Sequence, residues 1–311
     1  MLLALGQSFQ RRGAEIRGVD RTHLVKAIHR LADQFDLPIT RCWFKFGQFV
    51  VSGRASTERL LQLAPGSPGG PSSDLQRLIG SELRPLQQGM IRAAEDLVDF
   101  FREPLNDYLP GYYAGEAPTR FAPLYVSNFE LVAFCRRLEE VEDHRGMRVH
   151  YSENLHPKLI QFHKAVAKVV TELEALETVV RFWLLVEELV LRMDFQMART
   201  DFDLVSWKAF FKRVANAYVD QVWNLPAAVI ARETVVGPAA NEWRQQMDRV
   251  LSNGRRLGND ILEPLREEAE ILGFLPSPEE TGESLAQGRQ KIGTRADTID
   301  DLLSLTYTDE L

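Results

Sequence analysis

The longest regular pattern in the chain lies in its second half. Leu155, Leu159, Phe162, Val166, Val169, Leu173, Leu176, Val180 and Trp183 follow one another at alternating intervals of four and three residues. Side chains spaced in this way share one face of an α-helix, so the stripe predicts a single helix. Glu187 interrupts it, and Val186, Val190, Met193 and Met197 resume it one position out of step. The expected element covers about 153–197 and, if straight, is about 60 Å long at the usual rise per residue. Its flanking positions, among them His156, His163, Val170 and Glu177, are not a set of opposite charges. That favours burial in a multi-helix bundle over a free-standing coiled coil, and leaves packing between copies of the chain open.

Shorter patterns fill the rest. Asp20 stands where an N-cap would stand, and Leu24, Val25, Ile28, Leu31 and Phe35 then recur at helical spacing until Pro38. Residues 39–51 are aromatic and β-branched and read as an extended segment broken at Gly47. A short helix is expected at 56–63, followed by a Pro/Gly/Ser loop at 64–73. Asp74 caps an expected helix that contains Pro85 and runs to about Asp107; Tyr108–Pro123 reads as an ordered connector. Further helices are expected near Ser127–Asp143, Asp203–Trp223, Pro238–Leu257 and Ile261–Leu272, punctuated by Pro226, Gly237 and Gly258. No period of 20 to 50 residues repeats, which gives no sign of a solenoid.

The pattern therefore predicts an all-α fold with four parts: a small basic N-terminal helical domain (1–63) containing a short extended segment, the loop 64–73, a helical bundle over 74–275 holding the long helix, and an acidic tail (276–311). That tail ends in an amphipathic segment with Ile299, Leu302, Leu303 and Leu305.

Composition adds limits. The 311 residues are 45% hydrophobic and 26% charged, enough apolar material for a real core. A net charge of −7 disfavours wholesale binding to nucleic acid. The charge is uneven: residues 1–63 carry ten basic against five acidic side chains, and residues 260–311 carry four against thirteen. Cys42 and Cys135 are the only cysteines and form no CxxC pair. The apolar start Met1–Leu5 is too short for a signal-peptide core, and the most apolar window, Phe182–Leu191, contains Glu187 and Glu188. The expectation is a cytoplasmic protein without a membrane span.

Candidate chemistry is sparse. No phosphate-binding, dinucleotide-binding, nucleophile-elbow, zinc-protease or EF-hand pattern occurs. Glu153-x-x-His156 is one half of a di-iron helix pair, but no second half exists, and His163 lies two turns from His156, too far to share a zinc. No metal or cofactor is expected. Helical ribonucleases of the HEPN kind use an Arg followed by a His four to six residues on; Arg145/His150, Arg137/His144 and Arg17/His23 fit. About one such match arises by chance in a chain of this composition. Arg145 and His150 are the best of them as catalytic candidates. Arg41, Trp43 and Lys45 form a basic-aromatic strip that could contact nucleic acid or a partner; the competing reading is a strand completing the N-terminal core.

Residues 24–50 carry a helix, then Leu37-Pro38-Ile39-Thr40, Trp43 and Lys45-Phe46-Gly47-Gln48-Phe49. This order resembles the Panacea/SocA-like antitoxin domain, with Gln48 where the family usually has proline and Phe46 where it usually has tyrosine. The resemblance covers under a tenth of the chain. It implies a helical domain that binds and neutralises or escorts a partner protein. The leading expectation is thus a non-catalytic protein-interaction module with Ile299, Leu302, Leu303 and Leu305 as a docking segment. The alternatives are a HEPN-like ribonuclease and a DNA-binding regulator acting through residues 1–63.

Overall fold

The computed structural model of the chain describes residues 2–12, 21–51, 84–98, 104–139, 152–197 and 202–276. The short helix expected at 56–63, the loop 64–73, the stretch 74–83 and the tail from 277 lie outside the described residues.

Helices α1 (Leu2–Arg11), α2 (Arg21–Gln34) and α3 (Arg84–Asp96) share one apolar core built on Leu5, Leu24, Ala27, Leu31 and Ala94. The buried Ser8 hydroxyl, 2.8 Å from the Ile91 carbonyl, ties α1 to α3. Because α3 lies beyond residue 73, this core draws on both sides of the 64–73 segment.

The extended segment is a hairpin. β1 (Arg41–Phe44) and β2 (Gly47–Val50) pair antiparallel, Arg41 opposite Val50 and Phe44 opposite Gly47. Gly47 has φ +91°, and a Cβ there would lie 2.7 Å from Lys26 Nζ, so glycine is required by both conformation and space.

Two expectations fail between residues 85 and 123. The helix expected to reach Asp107 ends at Asp96, and the expected connector is helix α4 (Leu105–Glu116) with Pro110 inside it. The aromatic residues there are a buried helix face: Tyr112 and Tyr113 are both in the main core. The helix expected near Ser127–Asp143 is α5 (Ala122–Glu139), which starts five residues earlier, within the expected connector.

The long helix over 153–197 is also corrected. It is two helices, α6 (Ser152–Val169) and α7 (Leu173–Met197), joined through Val170, Thr171 and Glu172. Phe162 packs on Trp183 and His156 meets Glu187, so the second helix runs back along the first as an αα-hairpin. Three consecutive β-branched residues, Val169, Val170 and Thr171, weaken the helix at the turn. The stripe does not survive it: Leu155, Leu159, Phe162, Val166 and Val169 are buried, but Leu173 is 75% exposed. After the turn the buried face is carried instead by Ala175, Val179, Phe182, Val186 and Leu189.

Helix α8 (Leu204–Ala217) is capped by Asp203, whose carboxylate accepts from the Val205 and Ser206 amides. It runs into a π-helical turn (Tyr218–Val222) and directly into α9 (Asn224–Thr234). Leu225 to Ala231 are buried on every side, making α9 the central helix. Pro226 sits in its first turn, where no amide donor is needed, so it does not punctuate the chain. α10 (Ala240–Ser252) and α11 (Gly254–Ile271) complete the bundle. Gly258, expected as a stop, lies inside α11: a Cβ there would come within 2.6 Å of Thr178 Oγ1, so its lack of side chain lets α11 close on α7. Thr178 Oγ1 donates to the Gly254 carbonyl at 3.0 Å across the same contact.

The β-hairpin joins the two cores. Arg41 exchanges both backbone hydrogen bonds with Val236, and Thr234 Oγ1 accepts from the Trp43 amide at 2.9 Å. Among the described residues, no helix is long and apolar enough to cross a membrane.

Candidate functional site

The turn of the hairpin, Lys45-Phe46, projects from this junction and is held by side chains from four directions. Tyr125 of α5 donates to the Phe44 carbonyl at 2.6 Å. Trp223 Nε1 donates to the Lys45 carbonyl at 2.8 Å. Lys26 of α2 donates to the Phe46 carbonyl, and the Gln48 amide donates to the Tyr112 hydroxyl of α4 at 3.3 Å. Backbone groups that would otherwise face water thus have protein partners, and the turn is fixed in place.

Lys26 is the least ordinary of these anchors. It is fully buried, with Nζ 4.1 Å from the centre of the Tyr112 ring. Burial, and then the nearby Arg30 charge, pushes its pKa down to about 7. Around it Trp43 stacks on Tyr112, with centroids 5.6 Å apart, and Tyr113 stacks on Tyr125 at 4.9 Å. Burial raises the phenol pKa values of Tyr112, Tyr113 and Tyr125, which keeps all three protonated.

Two of the sequence candidates are therefore turned inward. Trp43 is 7% exposed and packed on aromatic rings, so it has no free face for a nucleobase. Arg41 is also buried, its guanidinium bound to Asp33 and to the Leu37 and Ile39 carbonyls. Arg41 and Trp43 of the strip are thus buried, because β1 is paired with β2 on one side and packed against α9. Lys45 alone faces out. Its Nζ is 3.0 Å from the Asp220 carbonyl, and partial burial lowers its pKa while Asp220 opposes the shift.

Lys45 and Phe46 form one wall of a cleft of about 460 Å³ whose other walls are α4, α5 and the π-helical turn. Phe129, Val132, Ala133 and Val219, all partly exposed, supply an apolar floor, with the buried rings of Tyr113 and Trp223 beneath it. Arg136 and Arg137, in the last turn of α5, stand on the rim with exposed side chains. Among the described residues no carboxylate lines this cleft. A second hollow of about 250 Å³ shares Val132, Arg136 and Val219 with it and continues toward Asn216. Phe46, 51% exposed, separates the cleft from another hollow of about 290 Å³ beside α2.

The π-helical turn shapes this groove. Its wider winding pushes Val219 into the wall while Tyr218 turns inward, its hydroxyl donating to Asn128 Oδ1. Single π-turns inside helices often mark functional positions. Sequence periodicity cannot show such a turn, because one inserted residue looks like ordinary drift in a buried helix. Arg136-Arg137 was visible only as half of the Arg137/His144 pair.

The remaining candidates fall elsewhere. His144, Arg145, His150 and the cluster Ile299, Leu302, Leu303 and Leu305 lie outside the described residues. His156 Nδ1 is 2.8 Å from Glu187 Oε1, and His163 is half-buried on the same hairpin with its pKa lowered by burial. Among the described residues no group of three or more His, Cys, Asp or Glu side chains could hold a metal ion.

No curated protein and no solved structure matches the chain. A family model matches residues 13–288, a span that includes α2, α3, the hairpin and the whole bundle. The chain belongs to the family described as a domain of unknown function, DUF8098.

Proposed function

We propose that this protein is a non-catalytic interaction module whose groove, between the hairpin turn, α5 and the π-helical turn, binds an acidic, partly apolar segment of a partner protein. The observation that carries this reading is the lining: three cationic side chains, Lys45, Arg136 and Arg137, over an apolar floor of Phe129, Val132 and Val219, with no carboxylate among the described lining residues. Such a surface matches a peptide that alternates acidic and apolar residues, as grooves for amphipathic helices do. Its charges sit at the rim, where they select and steer, while the apolar floor supplies affinity. The rigidity of the turn adds to this, since a pre-organised wall loses little entropy on binding. The resemblance of residues 24–50 to the Panacea/SocA-like antitoxin domain supports an escort or neutralising role, because the hairpin that forms the groove wall is the segment that carries the resemblance.

The test is affinity purification of the tagged full chain from its native host, beside the Lys45→Glu/Arg136→Glu/Arg137→Glu variant. One stoichiometric protein should accompany the wild type and fall by roughly tenfold or more with the variant, a change of about 1.4 kcal/mol. A partner retained equally by both proteins, or none with either, would sink the groove as its binding surface.

A further inference from the structure

The chain carries a segment of the chemistry that the groove fits. Residues 277–311 hold eight acidic side chains against three basic, and within them Asp297, Asp300 and Asp301 alternate with Ile299, Leu302, Leu303 and Leu305. We propose that in the free protein the groove is occupied by the chain's own residues 297–305, with Asp300 and Asp301 at the Arg136 and Arg137 rim and the leucines on the apolar floor of Phe129, Val132 and Val219, and that a partner must displace them. This rests on the reading of the groove as a site for acidic, apolar peptide.

Three observations favour this occupant. The first is charge complementarity, since the charged side chains among the described lining residues are all cationic and the segment presents acids interleaved with apolar residues. The second is position. The described chain leaves α11 through Phe274, whose ring lies 5.0 Å from that of Trp207 and 5.6 Å from that of Phe210, both on α8. α8 in turn packs directly on α5, the helix that carries Arg136 and Arg137. The groove lies beside the other end of α8, at Ala215–Val219, roughly 10–20 Å along the helix from the exit point. The third is reach. The 276–298 stretch between them is rich in Pro, Gly, Ser and Gln, and 23 residues of such composition are long enough to bridge roughly 25–30 Å. Tethering at that length gives an effective concentration on the order of millimolar, which lets a segment of weak intrinsic affinity fill the groove. A partner binds only with the fraction of molecules whose groove is open, so the tail sets a threshold for capture.

The experiment is hydrogen–deuterium exchange on the full chain, read over residues 297–305, for wild type, Arg136→Glu/Arg137→Glu, Asp300→Lys/Asp301→Lys and the combination of all four. Both arginines are exposed, and circular dichroism checks that each variant keeps its helicity. In the wild type, exchange over 297–305 should be slow and should accelerate roughly tenfold in either charge-reversed variant. It should recover in the combination, where the rim and the segment have swapped sign. Raising the salt concentration on the wild type should reproduce the acceleration without any substitution. Equal rates in all four proteins, or slow exchange that persists in Arg136→Glu/Arg137→Glu, would overturn the proposal. Slow exchange that appears only as concentration rises, with a doubled mass in light scattering, would place the segment in a second copy and overturn the intramolecular form. Partner capture reports separately. Deleting residues 298–311 should strengthen it if the tail competes; groove-dependent capture unaffected by the deletion would leave the partner reading standing and remove the tail from the groove.

Discussion

Lys26 is a cation placed where water does not reach, and its energetics follow from that placement. Its partners, the Phe46 carbonyl and the face of Tyr112, favour the charged form, while burial and Arg30 oppose it and bring the pKa down to about 7. In the unfolded chain a lysine loses its proton near about 10.4. Between these values the unfolded state binds a proton that the native state has released, so stability rises with pH. The Cys42 thiol acts in the other direction. Burial pushes it up to about 12, so it costs stability once an unfolded thiol begins to ionise, at about 8.5. The Lys26 effect should therefore be clearest between about pH 7 and 8.5. Denaturant midpoints of the wild type should climb across that interval and those of Lys26→Met should stay flat. Parallel slopes would show that the amine is not the titrating group. The same burial makes Cys42 inert to thiol reagents until the protein unfolds.

At the scale of elements, the close approach of α11 to α7 depends on Gly254 and Gly258, which lie against Ala175 and Thr178. Gly258→Ala should destabilise the fold by about 1–3 kcal/mol, the usual cost of forcing extra volume into a packed contact. Substituting alanine for glycine inside a helix would otherwise stabilise it, so a gain in stability would refute the tight crossing. The α6–α7 hairpin should show its own acid sensitivity. Burial lowers the His163 pKa against the opposing pull of Glu187. Below about pH 6.5 an unfolded histidine takes up a proton that the native one declines, so stability falls as pH drops into that range. His163→Leu should remove this component, which thermal melts at pH 7 and pH 5.5 would register as a smaller difference between the two.

These elements also show what a sequence can and cannot carry. The helix Arg21–Gln34 and the extended segment broken at Gly47 were legible because capping, Pro38 and β-branched composition act locally. The fold-back at Thr171 was hidden because the four-three spacing of apolar residues runs straight through the turn, and only burial tells that Leu173 has left the core. Gly258 reads as a stop by propensity, yet a neighbouring helix overrides it. The groove was legible only in pieces. Lys45 and the Arg136-Arg137 pair are distant in sequence, and nothing local indicates that α5 and the hairpin turn face one cleft.

At the scale of the molecule, the hairpin couples the α1–α3 core to the bundle. Trp43 sits in the main core, and Val50, on the partner strand, in the smaller one. Trp43→Ala should cost about 3–5 kcal/mol, as truncation of a buried large aromatic does. Because the link is lost with it, the α1–α3 core should then melt before the bundle and give two calorimetric transitions where the wild type gives one. A single transition in the variant would mean that the two cores are joined by other contacts.

The pairing of β1 with the end of α9 has a further consequence for the order in which the protein can be made. Trp43 and its hydrogen-bond partner Thr234 are separated by 191 residues, which at ordinary rates of translation is roughly 10–40 s of synthesis. For that time the N-terminal segment is outside the ribosome with an aromatic strand edge that nothing can yet cover. A strand left in this state is the kind of surface on which chains associate wrongly, so the interval before α9 emerges is the one in which this hairpin is most exposed to misassembly.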